Sequence, residues 1–417
     1  MKKIKVEGGH LLTGKIKISG AKNSAVALVP ASLLCDEQVT IDNIPNISDI
    51  QALNEILSYL GAKVTREDEK MKIDSSTVEN KAIPESISKK LRASYYFMGA
   101  LLGKYKQVKM CFPGGCSIGA RPIDLHLKAF ESLGATVEED GNVYTIKAEK
   151  LVGTNIYLDF ASVGATINIM LAAVKAEGTT VIQNAAKEPE IVNVAIFLNQ
   201  MGAKIKGAGT SEIYIEGVEK LHSCYVEVIP DRIEAGTYVI LGCLMGDQLR
   251  ITNMIPSHIE ALLLKLKEMD ADIQIGTDYV EVSKKDHLKP VKVKTLGYPG
   301  FATDLQQPFT TLLTQAEGMS SVEETIYENR FQNIPYLNQM GANIEQDGML
   351  IHIHGKTNLH GADVVATDLR AGACLVLAGL TAEGITTISK IEHVLRGYEN
   401  IIEKLQAVGA KIEIEEI

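Results

Sequence analysis

Three glycines, two prolines, one thiol and one guanidinium crowd into Phe112-Pro113-Gly114-Gly115-Cys116-Ser117-Ile118-Gly119-Ala120-Arg121-Pro122. Such a run cannot be a helix or a central strand. It is a loop, and long irregular loops in compact domains tend to carry function. A thiol there can reach a substrate, and the guanidinium of Arg121 would favour its thiolate. Asp124 follows shortly after. A surface loop with an incidental cysteine is the plainer alternative. A second segment, Gly20-Ala21-Lys22-Asn23-Ser24, precedes the apolar run from Ala25 to Leu34. It predicts a helix that starts with Lys22 and Asn23 at its N-terminal end, where anions bind. The Walker spacing is absent, and a capped helix with a solvated lysine is the bland alternative.

Arginines are few, so their positions inform. Arg92, Arg330, Arg370 and Arg396 stand in short polar segments, several just before apolar runs. A guanidinium suits two-point recognition of carboxylate or phosphate. Taken singly, each reads as a structural ion-pair residue; several together would mark a polyanionic substrate. The acidic candidates are Glu188, Asp231, Asp304 and Asp368. Asp304 follows a Pro-Gly turn and precedes a helical pattern, so it reads as an N-cap or as a general base for a substrate hydroxyl. The histidines lack metalloprotease spacing. His352 and His354 alternate along an expected strand, and His126 follows the cysteine loop. Cys35, Cys243 and Cys374 lie in apolar runs and read as small core residues. Cys111 and Cys224 are uninformative, and no ligand cluster completes a zinc site.

The elements that must position these residues repeat. An apolar residue followed by Gly-Ala and a strand occurs at Leu60-Gly61-Ala62, Leu133-Gly134-Ala135, Met201-Gly202-Ala203, Met340-Gly341-Ala342 and Val408-Gly409-Ala410, with a weakened copy at Met269-Asp270-Ala271. The spacing is roughly 70 residues, longer than solenoid periods. The glycine suits the left-handed residue that ends a helix. A second tag, as in Ala176-Glu177-Gly178 and Ala382-Glu383-Gly384, joins an apolar helix to a β-branched strand. Six such units predict an α/β (α+β) fold of two lobes with three units each. Breaks near Ile18 to Asn23 and Val228 to Glu234 place one lobe at 1–20 plus 230–417 and the other at 21–229. The expected site is a cleft between them.

Composition bounds the function. Of 417 residues, 46% are hydrophobic and 23% charged, a globular balance, and the net charge of −10 argues against a nucleic-acid or membrane-surface binder. No run is long enough to span a bilayer. The N-terminal lysines lack an apolar run behind them, so no signal peptide is expected. Six cysteines without a C-x-x-C pair suit a reducing cytosol.

Together these segments resemble the enolpyruvyl transferases over the whole chain, and within them the branch whose acceptor is a nucleotide sugar. The resemblance rests on Gly20 to Asn23, Pro113 to Cys116, Gly119 to Asp124 and Ser162 to Thr166. It continues through Lys187 to Val192, Ile229 to Glu234, Thr303-Asp304, Glu328 to Phe331, Ala366 to Ala371 and Arg396 to Tyr398. The branch that acts on shikimate 3-phosphate lacks the cysteine loop. The resemblance implies an inside-out α/β barrel in each lobe, built of βαβαββ-type units. It implies transfer of the enolpyruvyl group of phosphoenolpyruvate to the 3-hydroxyl of UDP-N-acetylglucosamine, a first step towards peptidoglycan, with no metal or cofactor. Cys116 would then be the proton donor, able to form an adduct with phosphoenolpyruvate, and its loop would close over the site. Lys22, Arg121 and Arg396 would hold phosphate and carboxylate, and Asn23 would assist. Asp304 would take the hydroxyl proton. Arg92, Arg121, Pro122, Ile123, Asp124, Leu125, Ser162, Val163 and Ile326 would line the nucleotide-sugar site. Glu188, Asp231, Arg330, Asp368 and Arg370 are further substrate-binding candidates.

Five positions depart from the family pattern: Ala302 and Leu395 where proline and aspartate are common, Ser117 for alanine, and Gln332-Asn333 for Met-His. They bear on rate and affinity more than on reaction type. Three other readings stand beside this one: a transferase with another alcohol acceptor, a nucleotide-sugar sensor that kept the fold, and a cysteine hydrolase using His126 as base.

Overall fold

A computed structural model describes residues 2–111 and 123–416. The calls on Cys116, Ser117, Arg121 and Pro122 lie outside the described residues. The chain forms two compact units. One comprises residues 2–19 with 230–416, the other residues 20–111 with 123–229. The N-terminal segment belongs to the first because strand Lys2–Glu7 pairs antiparallel with both Ile385–Ser389 and Lys411–Glu416. Strand Lys15–Lys17 likewise runs parallel to Leu249–Thr252.

One repeat shows the plan. Strand Asn155–Tyr157 leads into helix Val163–Ala173, then strand Thr179–Gln183, helix Pro189–Gln200 and strands Lys204–Lys206 and Glu212–Glu216. Thr179–Gln183 lies parallel to the first strand and antiparallel to the last. The sequence dictates each piece. Thr179–Gln183 is β-branched and alternates, so Thr180 and Ile182 point into the core while their neighbours face out. The helix Val163–Ala173 is apolar on every side, and such a helix is a buried one; every residue from Ala165 to Ala173 is buried. Among the described residues the strands form six sheets, three in each unit.

The six tags end their helices as their glycines require. Gly61, Gly134, Gly202, Gly341 and Gly409 lie at φ between 98° and 103°. The weakened copy keeps the turn, with Asp270 at φ 62°, a region asparagine and aspartate tolerate. Gly20 is required for a different reason. A Cβ there would stand 1.8 Å from the Asn43 carbonyl oxygen, so any side chain would force the backbone apart.

At the centre of the first unit, helices Arg232–Met245, Thr303–Leu313 and Leu369–Thr381 pack on one another. Every residue of Arg232–Met245 after its first is buried. In the second unit helices Lys22–Ala31, Tyr96–Tyr105 and Val163–Ala173 play that part, Tyr96–Tyr105 packing on both others. Burial of a Leu or Val side chain contributes about 1.5–3 kcal/mol, so these helices form where they do through packing rather than intrinsic propensity. The sheets close over them with one wet face each. Cys243 and Cys374 lie on two of these helices, and burial pushes their thiols up to about 12 and about 11, which keeps them unreactive. Cys35 is buried as well.

Candidate active site

Lys22, Asn23, Arg92, Ser162, Val163, Asp231, Asp304, Asp368 and Arg370 stand at or near the N-terminal ends of the central helices, where unpaired N–H groups and the helix dipole favour negative charge. In the first unit the carboxylate Asp304 dominates. The N-cap reading is corrected: Ala302 occupies the cap and offers no side-chain hydrogen bond, while Asp304 lies in the first turn. Its oxygens are taken by cations instead. Arg330 Nη2 donates to Oδ1 at 2.6 Å and Arg370 Nη2 to Oδ2 at 3.0 Å. The guanidinium-bearing side chains are almost fully covered, whereas the carboxylate keeps 26% of its surface open. One group thus stays reachable while the two holding it are fixed.

Each arginine is itself held. The backbone carbonyl of Arg330 accepts from Gln307 Nε2 at 2.6 Å, and its guanidinium lies 5.4 Å from the centre of the Tyr327 ring. Arg370 donates from Nη1 to the Tyr398 hydroxyl at 3.1 Å. Burial alone would favour loss of its charge, but Asp304, Tyr398 and Asp231 more than offset this and hold its pKa above the ordinary guanidinium value. The other two acids here are caps. Asp231 Oδ1 accepts from the backbone N–H groups of Ile233 and Glu234 at 2.8 and 2.9 Å. Asp368 Oδ1 accepts from those of Arg370 and Ala371 at 2.8 and 3.0 Å. The Asp368 cap thereby also fixes the start of the helix that carries Arg370. Ile326 is 41% exposed and Arg396 half-buried.

Glu324 was not singled out by the sequence, yet it organises this end of the unit. It is 1% exposed. Its carboxylate accepts from Thr295 Oγ1 at 2.9 Å, Thr303 Oγ1 at 2.9 Å and the Ile326 backbone N–H at 2.8 Å. Those bonds compensate a buried charge. They also tie the first residue of the Asp304 helix to the turn that carries Ile326. An acid at the end of a strand carries no local sign of such a role.

The second unit is built differently. Lys22 opens its helix with no acidic residue in the first turn, and its Nζ lies 3.2 Å from Asp49 Oδ2. Asn23 follows it, half-buried. Arg92 stands in the short 3-10 turn Arg92–Tyr95 that leads into helix Tyr96–Tyr105. Ser162 caps the third helix by accepting from the Ala165 backbone N–H at 3.3 Å, and Val163 is that helix's first residue. Gly164 sits so tightly that a Cβ would meet His126 Nε2 at 2.8 Å and the Tyr95 hydroxyl at 3.0 Å. Ile123 and Leu125 are buried, while Asp124 is exposed at the start of its own helix. Glu188 precedes helix Pro189–Gln200 at the cap position without capping it.

His126 is buried edge-on against Tyr95, their ring centres 5.3 Å apart. Burial, with the charge of Arg92 added, pushes its pKa down to about 4, so it is neutral near neutral pH. The structure thus gives this histidine a packing role in the wall beside Gly164. Among the described residues no group of His, Cys, Asp and Glu is arranged to hold a metal ion. No described helix is long and apolar enough to cross a membrane.

Comparison with known proteins agrees with this plan. The family model described as EPSP synthase (3-phosphoshikimate 1-carboxyvinyltransferase) matches residues 6–405. A protein of Bacillus subtilis named UDP-N-acetylglucosamine 1-carboxyvinyltransferase 2 is 53% identical over 413 residues, covering 99% of this chain and 96% of that protein. Its namesake in Bacillus anthracis is 52% identical over the same shares. Among solved structures, the enolpyruvyl transferase NikO from Streptomyces tendae superposes with a TM-score of 0.90 at 28% identity over 99% of each chain. EPSP synthase from Acinetobacter baumannii shares the fold, with a TM-score of 0.76 at 18% identity over the full length of both chains.

Proposed function

Because the chain belongs to the enolpyruvyl transferase family, we propose that it transfers the enolpyruvyl group of phosphoenolpyruvate to the 3-hydroxyl of UDP-N-acetylglucosamine, with release of phosphate. The acceptor follows the names of relatives that match nearly the whole chain at just over half identity. The observation that carries the chemistry is Asp304, open to solvent on one side and clasped by Arg330 and Arg370 on the other.

The reaction needs a proton delivered to the methylene carbon of phosphoenolpyruvate, which makes its central carbon electrophilic. The sugar hydroxyl attacks that carbon. The tetrahedral adduct then loses a proton from the new methyl group and expels phosphate. A hydroxyl that has begun to attack becomes strongly acidic, so a weak base suffices to take its proton. Two guanidiniums keep Asp304 ionised and therefore able to accept. In this reading Cys116 delivers the first proton. Lys22, Arg121 and Arg396 take the phosphate and carboxylate of phosphoenolpyruvate with help from Asn23, and stabilise the charge that develops. The starts of the Lys22, Tyr96 and Val163 helices, with Arg92 and the run from Arg121 to Leu125, take the nucleotide sugar together with Ile326. In this reading residues of both units serve one reaction, and the protein works on small anions in the cytosol. Glu188, Asp231, Asp368 and Arg370 support the site, the last two by fixing Asp304.

The test is phosphate release from phosphoenolpyruvate with UDP-N-acetylglucosamine, with shikimate 3-phosphate in its place, and with neither. Release that requires the sugar nucleotide and collapses in Cys116→Ala is the expected result. Release with shikimate 3-phosphate instead would transfer the activity to the other branch of the family. A folded protein that binds the sugar nucleotide and releases nothing would make it a sensor. Full activity in Cys116→Ala would remove the thiol from its role.

A further inference from the structure

We infer that Tyr398 is a positioning residue for the proton transfer, acting on Asp304 through Arg370. This rests on Asp304 being the base. Tyr398 is 1% exposed. Among the described residues its hydroxyl has two hydrogen-bond partners: Arg370 Nη1 at 3.1 Å and Thr237 Oγ1 at 3.0 Å. Arg370 has only protons to give, so the tyrosine oxygen accepts from it. Thr237 has a single hydroxyl proton, and it donates that to the Ile233 carbonyl at 2.8 Å. Thr237 must therefore accept, and Tyr398 must donate. The result is one directed line: guanidinium to tyrosine, tyrosine to threonine, threonine to a helix carbonyl.

That line fixes the guanidinium at one end. Arg370 has its backbone N–H on the Asp368 cap at 2.8 Å, Nη1 on Tyr398 and Nη2 on Asp304 Oδ2 at 3.0 Å. A guanidinium is planar, so two bonds from different nitrogens settle its tilt as well as its place. Removing the Tyr398 bond leaves it able to rotate about its contact with Asp304, and the carboxylate turns with it. Arg330 still holds Oδ1, so the base would remain present and ionised but less well aimed. The three links come from helix Arg232–Met245, helix Leu369–Thr381 and the segment after Glu392–Leu395. No local sequence pattern brings them together.

Tyr398→Phe removes one oxygen and keeps the ring. The expected result is a fall in kcat of about tenfold, less than the roughly hundredfold cost of displacing a reacting group by 1 Å. KM for both substrates and the dissociation constant for UDP-N-acetylglucosamine should stay within about twofold, because nothing that touches the ligands is removed. Thr237→Val takes away the acceptor that orients the tyrosine and should lower kcat in the same way by a smaller factor. It also keeps the inference testable if Tyr398→Phe fails to fold. Unchanged kcat in either folded variant would overturn the inference. So would a loss that appears in nucleotide-sugar binding or only as a lower melting temperature, since that would make the tyrosine a packing residue. An inactive wild-type protein would instead sink the proposed function itself.

Discussion

In the unit formed by residues 20–111 with 123–229, helices Lys22–Ala31, Tyr96–Tyr105 and Val163–Ala173 carry no acidic side chain in their first turn. In the other unit, the three central helices start with acids: Asp231 and Glu234 on one, Asp304 on the next, Asp368 capping the third. The two units share one plan of buried helices under sheets, so the difference is chemical. A bare helix start presents N–H groups and a partial positive charge to an incoming anion. Lys22 and Arg92 add to that. A start occupied by carboxylates is already neutralised and repels further anions, unless arginines restore the balance. In the first unit Arg330 and Arg370 do so while leaving one carboxylate open. The helix starts of one unit are therefore suited to receive an anion, and those of the other to hold a carboxylate that can accept a proton.

Asp304→Asn breaks this contrast where it is strongest. The amide keeps the shape and can still accept from one guanidinium, but it cannot take a proton at working pH. The turnover rate is expected to fall by about 10²–10⁴-fold, with nucleotide-sugar binding nearly intact by calorimetry. A variant that retains most of its turnover would remove the base from this unit and leave the comparison without its chemical half.

How much of this could be read in the sequence depends on how far apart the partners lie. The six tags are local, and the glycine conformations they need are those found, down to Asp270 in the weakened copy. The apolar runs predicted buried helices, because a helix without a polar face has nowhere else to go. The partners of Asp304 were not legible: Arg330 and Arg370 stand 26 and 66 residues away, and only the fold joins them. The same distance hid Glu324 and the line from Tyr398 to Thr237. Asp304 itself was legible as a candidate but carried two readings, cap and base. The structure gives the cap position to Ala302, two residues before the acid, so Asp304 falls in the first turn.

The second test is made on the receiving side. Lys22 has a carboxylate beside it, Asp49, which is almost wholly covered. Lys22→Gln removes the cation from a helix start that has no acidic residue in its first turn. The expected result is a loss in kcat/KM for phosphoenolpyruvate of roughly 10²-fold, carried mainly by KM. If the loss fell on kcat alone, with the substrate bound as before, this lysine would belong with the charge-stabilising groups and the two units would be less distinct than their helix starts suggest.

The smallest expected effect separates the units by stability rather than by rate. His126 belongs to the unit whose central helices start without acids, and its folded pKa of about 4 lies below the ordinary value of 6.5. Burial is the main cause. Arg92 adds to it and Asp124 opposes it. A group whose pKa is depressed by folding contributes stability that is present above its unfolded pKa and lost as pH falls towards the folded one. Between pH 6.5 and 4 the unfolded chain takes up a proton that the folded chain refuses. By pH 5 this amounts to about 2 kcal/mol. Urea unfolding followed at pH 7 and pH 5 should show that loss, and His126→Phe should flatten the slope even if it lowers stability at both. Hydrogen exchange should place the acid-induced opening in residues 123–229 before the unit that holds Asp304. A slope unchanged in the variant would assign the acid sensitivity to carboxylates elsewhere, and the neutral wall behind Gly164 would then have no bearing on which unit yields first.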